Sequence, residues 1–172
     1  MTNGLIDTRL NNKLNELVGE CFAINRMLDR GMSLLNVRWK MVNTEKILHP
    51  KMAHAFTGDD FADGISGYQA KRSNETIYPA TPTGDKEYNS PLDFFYDILG
   101  TLLKFQDTLY DTYEMSKEIG DYTTKKFVNK IIENLVDYVD MAQLLIDLME
   151  NFGNDKRGWV LMDSNIDEYF ED

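Results

Sequence analysis

Three stretches of this chain repeat apolar residues in alternating steps of four and three, and that spacing limits the fold more than any other feature. In the first, the series is Leu10, Leu14, Leu17, Cys21, Ile24, Leu28 and Leu35, with Gly31 filling the one gap. A later stretch repeats it with Leu92, Phe95, Leu99, Leu102, Gln106, Leu109 and Tyr113, and the next with Val128, Ile131, Leu135, Tyr138, Ala142, Leu145, Met149 and Phe152. Such steps put one residue per turn on a single stripe, which is the seam of long helices packed at shallow angles.

A weaker helical pattern lies between the first and second of these seams. It follows Asn43-Thr44 and carries Phe56, Phe61, Ile65 and Tyr68 inward, but Gly58, Gly64 and Gly67 interrupt it, and glycine weakens a helix. Pro50 fits such a helix only in its first turn. Residues 73–90 contain two prolines and many turn formers, so they read as a long crossover rather than a tight hairpin. Ser90-Pro91-Leu92-Asp93 supplies a hydroxyl cap, a proline at the first helical position and an acid at the third. Gly120-Asp121 ends one helix and caps the next, and Gly153 stops the last. The expectation is an all-α, antiparallel four-helix bundle with helices near 8–41, 45–72, 91–118 and 122–152. Its long crossover joins helices two and three. Residues 1–153 form the bundle, and 154–172 an acidic, aromatic C-terminal tail expected to dock on protein.

Charge narrows the partners. With 29 acidic and 18 basic residues the net charge is −11, and no basic arm stands at the N-terminus. Duplex binding depends on Lys and Arg displacing phosphate counterions, so nucleic acid is not an expected partner. Anionic membranes are disfavoured for the same reason, and no apolar run is long enough to span a bilayer. The single cysteine, Cys21, falls on the first seam, which excludes an internal disulfide and reads as a small buried hydrophobe. With no signal peptide in view, the expected compartment is the cytoplasm.

Leu48-His49-Pro50-Lys51-Met52-Ala53-His54-Ala55-Phe56 resembles the start of helix two in the Dps-like branch of the ferritin-like superfamily. Trp39, at the end of helix one, resembles a tryptophan common near that family's first metal-binding histidine. Gly120-Asp121-Tyr122-Thr123-Thr124 resembles the ferritin-like turn into helix four, and helix order and length match over roughly residues 8–152. The resemblance implies iron binding, iron oxidation and storage in a hollow homo-oligomer. Its ligands would be two histidines and three acids shared between subunits at a two-fold interface. Carried over by residue, His49 fits the second histidine. The acid expected one turn later is Ala53, the following one falls at Gly64 beside Asp63, its partner is Tyr68, and Val37 and Arg38 lie near the first histidine position. The ordinary ferritin pattern needs Glu three residues before His, but Lys46 and Lys51 precede the chain's two histidines.

From the residues themselves, His49 and His54 are turned about 140° apart on an α-helix and should not share a metal. Asp59 and Asp63 share a face one turn apart and can hold a hard cation. The candidate metal residues are therefore His49, Asp63 and Asp59, with iron or another divalent cation as the cofactor and no catalytic residue assigned; any enzyme activity would be that of a ferroxidase. Two readings follow. One is a Dps-like oligomer binding iron or another divalent cation, with weak or lost ferroxidase activity. The other is a metal-free ferritin-like bundle serving assembly or protein interaction, with a partner held through the tail. Self-association is expected in both, because Val18, Phe22, Met27, Met32, Leu34, Val136, Val139 and Ile146 lie off the main seams. Each would be worth roughly 1.5–3 kcal/mol if buried.

Overall fold

The structure is a computed structural model that describes residues 4–170. Its helices are α1 (Thr8–Val37), α2 (Val42–Leu48), α3 (Ala62–Lys71), α4 (Pro91–Ile119), α5 (Tyr122–Phe152) and α6 (Lys156–Asn165), with no strand among the described residues. α1, α4, α5 and the broken α2–α3 run make the antiparallel four-helix bundle, and residues 72–90 cross its length without secondary structure of their own. No helix of the described residues is long and apolar enough to cross a membrane.

The terminal signals act as written. Ser90 Oγ accepts from the Asp93 amide with Pro91 behind it, and Asp121 accepts from the Thr124 amide. Gly120 takes the left-handed conformation at φ 85°, which closes α4 and lets α5 start one residue later. The first seam is buried throughout, from Leu10 to Leu35. Its gap has a reason, because the Phe94 ring lies where a Cβ on Gly31 would stand, 1.8 Å away. Every α5 seam residue named above is buried or packs against the core.

Two expectations fail. On α4, the stripe that faces the core is Phe95, Ile98, Leu102, Phe105, Leu109, Thr112 and Ser116. Leu92, Leu99, Gln106 and Tyr113 are only partly buried beside it. The two stripes share Phe95, Leu102 and Leu109, and the helix is rolled toward the side that seats Phe105 among the aromatic rings of the core. The second helix, expected to be continuous over 45–72, is broken. Pro50 has no N–H for the α-helical ladder and its ring crowds the preceding turn, so the backbone widens to a π turn over His49–Ala53, followed by a 3-10 turn over His54–Thr57. Gly58 then extends, and α3 restarts after Phe61 with its Gly64 backed onto the Asp59 carbonyl, 2.0 Å from where a Cβ would stand.

The crossover is fastened along α1. Pro79 packs on Gly19, Tyr78 meets Phe22 edge-on, and Glu87 bridges Arg30 and Arg38 at 2.7 and 2.8 Å. Buried Gln69 donates to Asn11 and Asn15, and its carbonyl accepts from Thr76, so the end of α3, α1 and the crossover share one polar network. After Gly153 the chain folds back as α6, whose Met162 and following Ile166 are buried. Of the apolar residues outside the seams, Val18, Met32, Leu34 and Ile146 are buried within the one chain. Phe22, Met27 and Val139 pack against its core, and Val136 is 58% exposed. The expected sticky surface is thus smaller than the sequence suggests.

Candidate metal site

The fold's natural place for a metal centre is the bundle interior, between the middles of the helices. Here four aromatic rings fill it. Phe56 stacks on Phe61 with centroids 4.4 Å apart, Tyr138 meets their rings edge-on at 5.3 and 5.4 Å, and Phe105 closes the group at 6.1–6.4 Å. The buried polar side chains among the described residues are Asn15, Thr44, Gln69, Ser90, Thr112, Ser116 and Thr124. None is a carboxylate or an imidazole. A carboxylate–histidine iron centre inside the bundle does not fit this donor set.

Glu20 comes nearest to the interior. It lies on α1 where that helix meets α4, and one carboxylate oxygen accepts from the Thr108 hydroxyl at 2.9 Å. The other is buried with no hydrogen-bond partner. Burial pushes its pKa up to about 7, against the pull of the Thr108 bond, with Glu16 adding to the rise.

The chain's two histidines stand on the outside of the bundle, beside α1. His49 Nδ1 is 2.9 Å from Glu45 Oε1, one turn earlier, and His49 Nε2 is 3.3 Å from Asp29 Oδ1 on α1. That Asp29 oxygen is shielded from solvent and has no hydrogen-bond partner. The expectation that His49 and His54 diverge is overturned by the π turn. At five residues per hydrogen-bonded step, His54 N–H reaches the His49 carbonyl, and the two imidazoles lie 4.6 Å apart by centroid. Sequence reading missed Asp29 and Glu45; a Glu four residues before a His was the available signal.

Asp59 and Asp63 are exposed, Asp59 in the break before α3 and Asp63 in its first turn. Asp63 lines a shallow hollow with Ser66, Ala70, Asn74, Glu75 and Tyr78, away from the residues that touch His49. No group of three or more His, Cys, Asp or Glu among the described residues is placed to hold a metal ion.

No sequence-family model and no curated protein matches the chain. Solved structures do. The chain is similar to an open-pore ferritin from the hyperthermophilic archaeon Archaeoglobus fulgidus, with a TM-score of 0.80 at 16% identity over 94% of this chain and 97% of that one. A humanized archaeal ferritin gives 0.79 at 16% identity, over 94% and 95% of the two chains. An engineered closed form of the Archaeoglobus fulgidus ferritin gives 0.80 at 15% identity, over 94% and 96%. At such identities the likeness is one of fold, and the chain has the ferritin-like four-helix fold.

Proposed function

We propose that this protein is the subunit of a ferritin-like homo-oligomer that binds a divalent cation, iron foremost. The cation would sit on the outer face between α1 and α2 rather than inside the bundle. One observation carries the reading: a carboxylate–imidazole–carboxylate line, Glu45–His49–Asp29, with His54 beside it. Glu45 accepting from Nδ1–H fixes the tautomer in which Nε2 carries the lone pair, the usual support of a metal-binding histidine. His49 Nε2 and Asp29 Oδ1 are then the donors on this subunit. His49 stays from the sequence reading, and Asp29 is used beside it in place of Asp59 and Asp63, because it is the carboxylate within reach of Nε2. These two donors make only part of a coordination shell, and water or a second subunit would supply the rest, as in the shared sites of Dps-like proteins. The outer site binds the cation, and the aromatic-filled interior takes no part in oxidation.

Calorimetric titration with Fe²⁺ under anaerobic conditions, and with Zn²⁺ or Mn²⁺, tests it. Replacing His49 and Asp29 together by Ala should weaken binding at least tenfold, whereas replacing Asp59 and Asp63 should leave it unchanged. Equal binding by the wild type and the H49A/D29A variant would sink the proposal. An inert wild type would favour the metal-free assembly reading, for which the aromatic-filled interior is the supporting observation.

A further inference from the structure

We propose, resting on the cation reading above, that Asn25 is the positioning residue of the outer site. Its side chain pins the end of the π turn to α1 and so decides which residue of the broken helix stands level with Asp29.

The placement follows from two contacts across one pair of antiparallel elements, α1 and the α2–α3 run. In such a pair, a step back along one element matches a step forward along the other. Asp29 meets His49 at 3.3 Å. Asn25, four residues before Asp29, donates through Nδ2 to the carbonyl of Ala53, four residues after His49, at 2.7 Å. The two contacts therefore belong to a single register. On α1 the spacing of four makes Asn25 and Asp29 neighbours on one face, one turn apart.

Pro50 explains why the helix breaks but not where the broken segment comes to rest. It removes one bond of the α-helical ladder, and the π turn that takes its place is a rare form that local sequence seldom holds by itself. A contact from outside the segment has to select it. Ala53 is the last residue of that turn and is fully buried, and His54 follows it directly as the start of the 3-10 turn. A donor fixed on the Ala53 carbonyl thus sets the direction in which His54 leaves, which places its ring 4.6 Å from that of His49. A slip of one residue would turn each side chain by about 100°. It would break the Asn25 bond, part the two imidazoles and take His49 away from Asp29, whose Oδ1 is shielded from solvent with no hydrogen-bond partner.

Proton NMR of the metal-free protein reads the register directly. The chain has two histidines, so H49A and H54A assign both sets of imidazole signals. In the wild type, H54A should also move the His49 signals, because the neighbouring ring is lost. Asn25→Leu keeps the size of the side chain and removes its donor, whereas Asn25→Gln retains a donor. The Leu variant should shift both imidazoles and make His49 insensitive to H54A. Calorimetry should show its Zn²⁺ affinity lowered by about fivefold, the worth of one hydrogen bond, because affinity falls with the fraction of molecules in the competent register. The Gln variant should recover most of both. A purely structural Asn25 would lower the melting temperature and leave the imidazole signals of the folded protein in place. Should the Leu variant fail to fold, Asn25→Asp, the same shape without the donor, gives the same spectral readout. Unmoved imidazole signals, a Gln variant no better than Leu, or shifted signals with unchanged Zn²⁺ affinity would each overturn the proposal. If the wild type binds no cation, the cation reading fails by itself, and the metal-free spectra still decide whether Asn25 sets the histidine pair.

Discussion

A half-buried acid with one carboxylate oxygen shielded and unpaired is a standing cost to this fold, and Glu20 is that acid. Its folded pKa, about 7, lies above the ordinary value of 4.5, chiefly because burial disfavours the charged form. Between those values the folded chain holds a proton that the unfolded chain has released. Stability should therefore fall as pH rises from about 4.5 to 7, and the full cost should be present above that window. The shift corresponds to about 3 kcal/mol at face value; partial exposure of the side chain reduces that to about 1–2 kcal/mol. Glu20→Gln keeps an acceptor for Thr108 and removes the charge. Denaturant melts should show this variant matching the parent near pH 4 and exceeding it by that amount at pH 8. A parent and variant with the same pH slope would mean that the Glu20 carboxylate is solvated.

At the scale of elements, legibility tracks how much of each helix's pattern is set by its own spacing. α1 and α5 bury the residues their seams name, because an unbroken four-three repeat leaves one roll angle that covers it. α4 carries two overlapping repeats that share Phe95, Leu102 and Leu109, and only the rings supplied by Phe56 and Phe61 decide which one turns inward. The broken α2–α3 run was the least legible. Its glycines pointed to interruption, but no local rule converts Pro50 into a π turn, and without that turn His49 and His54 point apart. The same break explains why the surroundings of His49 were only partly legible: His49 could be read from the sequence, whereas Asp29 meets it only through α1–α2 packing. Phe61 begins the restart of α3 and is fully buried in the ring cluster. Phe61→Ala should cost about 3–5 kcal/mol, with Phe61→Leu much milder, because the site lies in a packed core. Chemical denaturation would measure both; a cost under about 1 kcal/mol would show that the cluster collapses around the missing ring.

For the whole molecule, the C-terminal segment is a structural part of the bundle and not an appendage. α2 starts at Met41 with no side-chain cap of its own. Asp163, on α6, provides one from far along the chain: its carboxylate accepts from the Thr44 amide at 2.7 Å and the Thr44 hydroxyl at 2.8 Å. Met162 and Ile166 are buried, and Phe152 meets Tyr169 edge-on, so α6 also seals the end of α5. The start of α2 is coupled in turn to the Glu45–His49–Asp29 line, because Glu45 lies in the first turn that Asp163 caps. Losing a cap of this kind costs about 1 kcal/mol, and stripping the partner from a buried hydroxyl adds a comparable amount. Asp163→Ala should therefore lower stability by about 1–2 kcal/mol. Deleting residues 158–172 should lower the melting temperature further, because it also uncovers the apolar end of α5. Calorimetric melts of the two variants distinguish a docked segment from a free peptide: a truncation that melts with the full chain would place α6 outside the cooperative unit. If Asp163 steadies α2 in this way, the truncation should also weaken cation binding, because the first turn that Asp163 caps carries Glu45, the partner of His49.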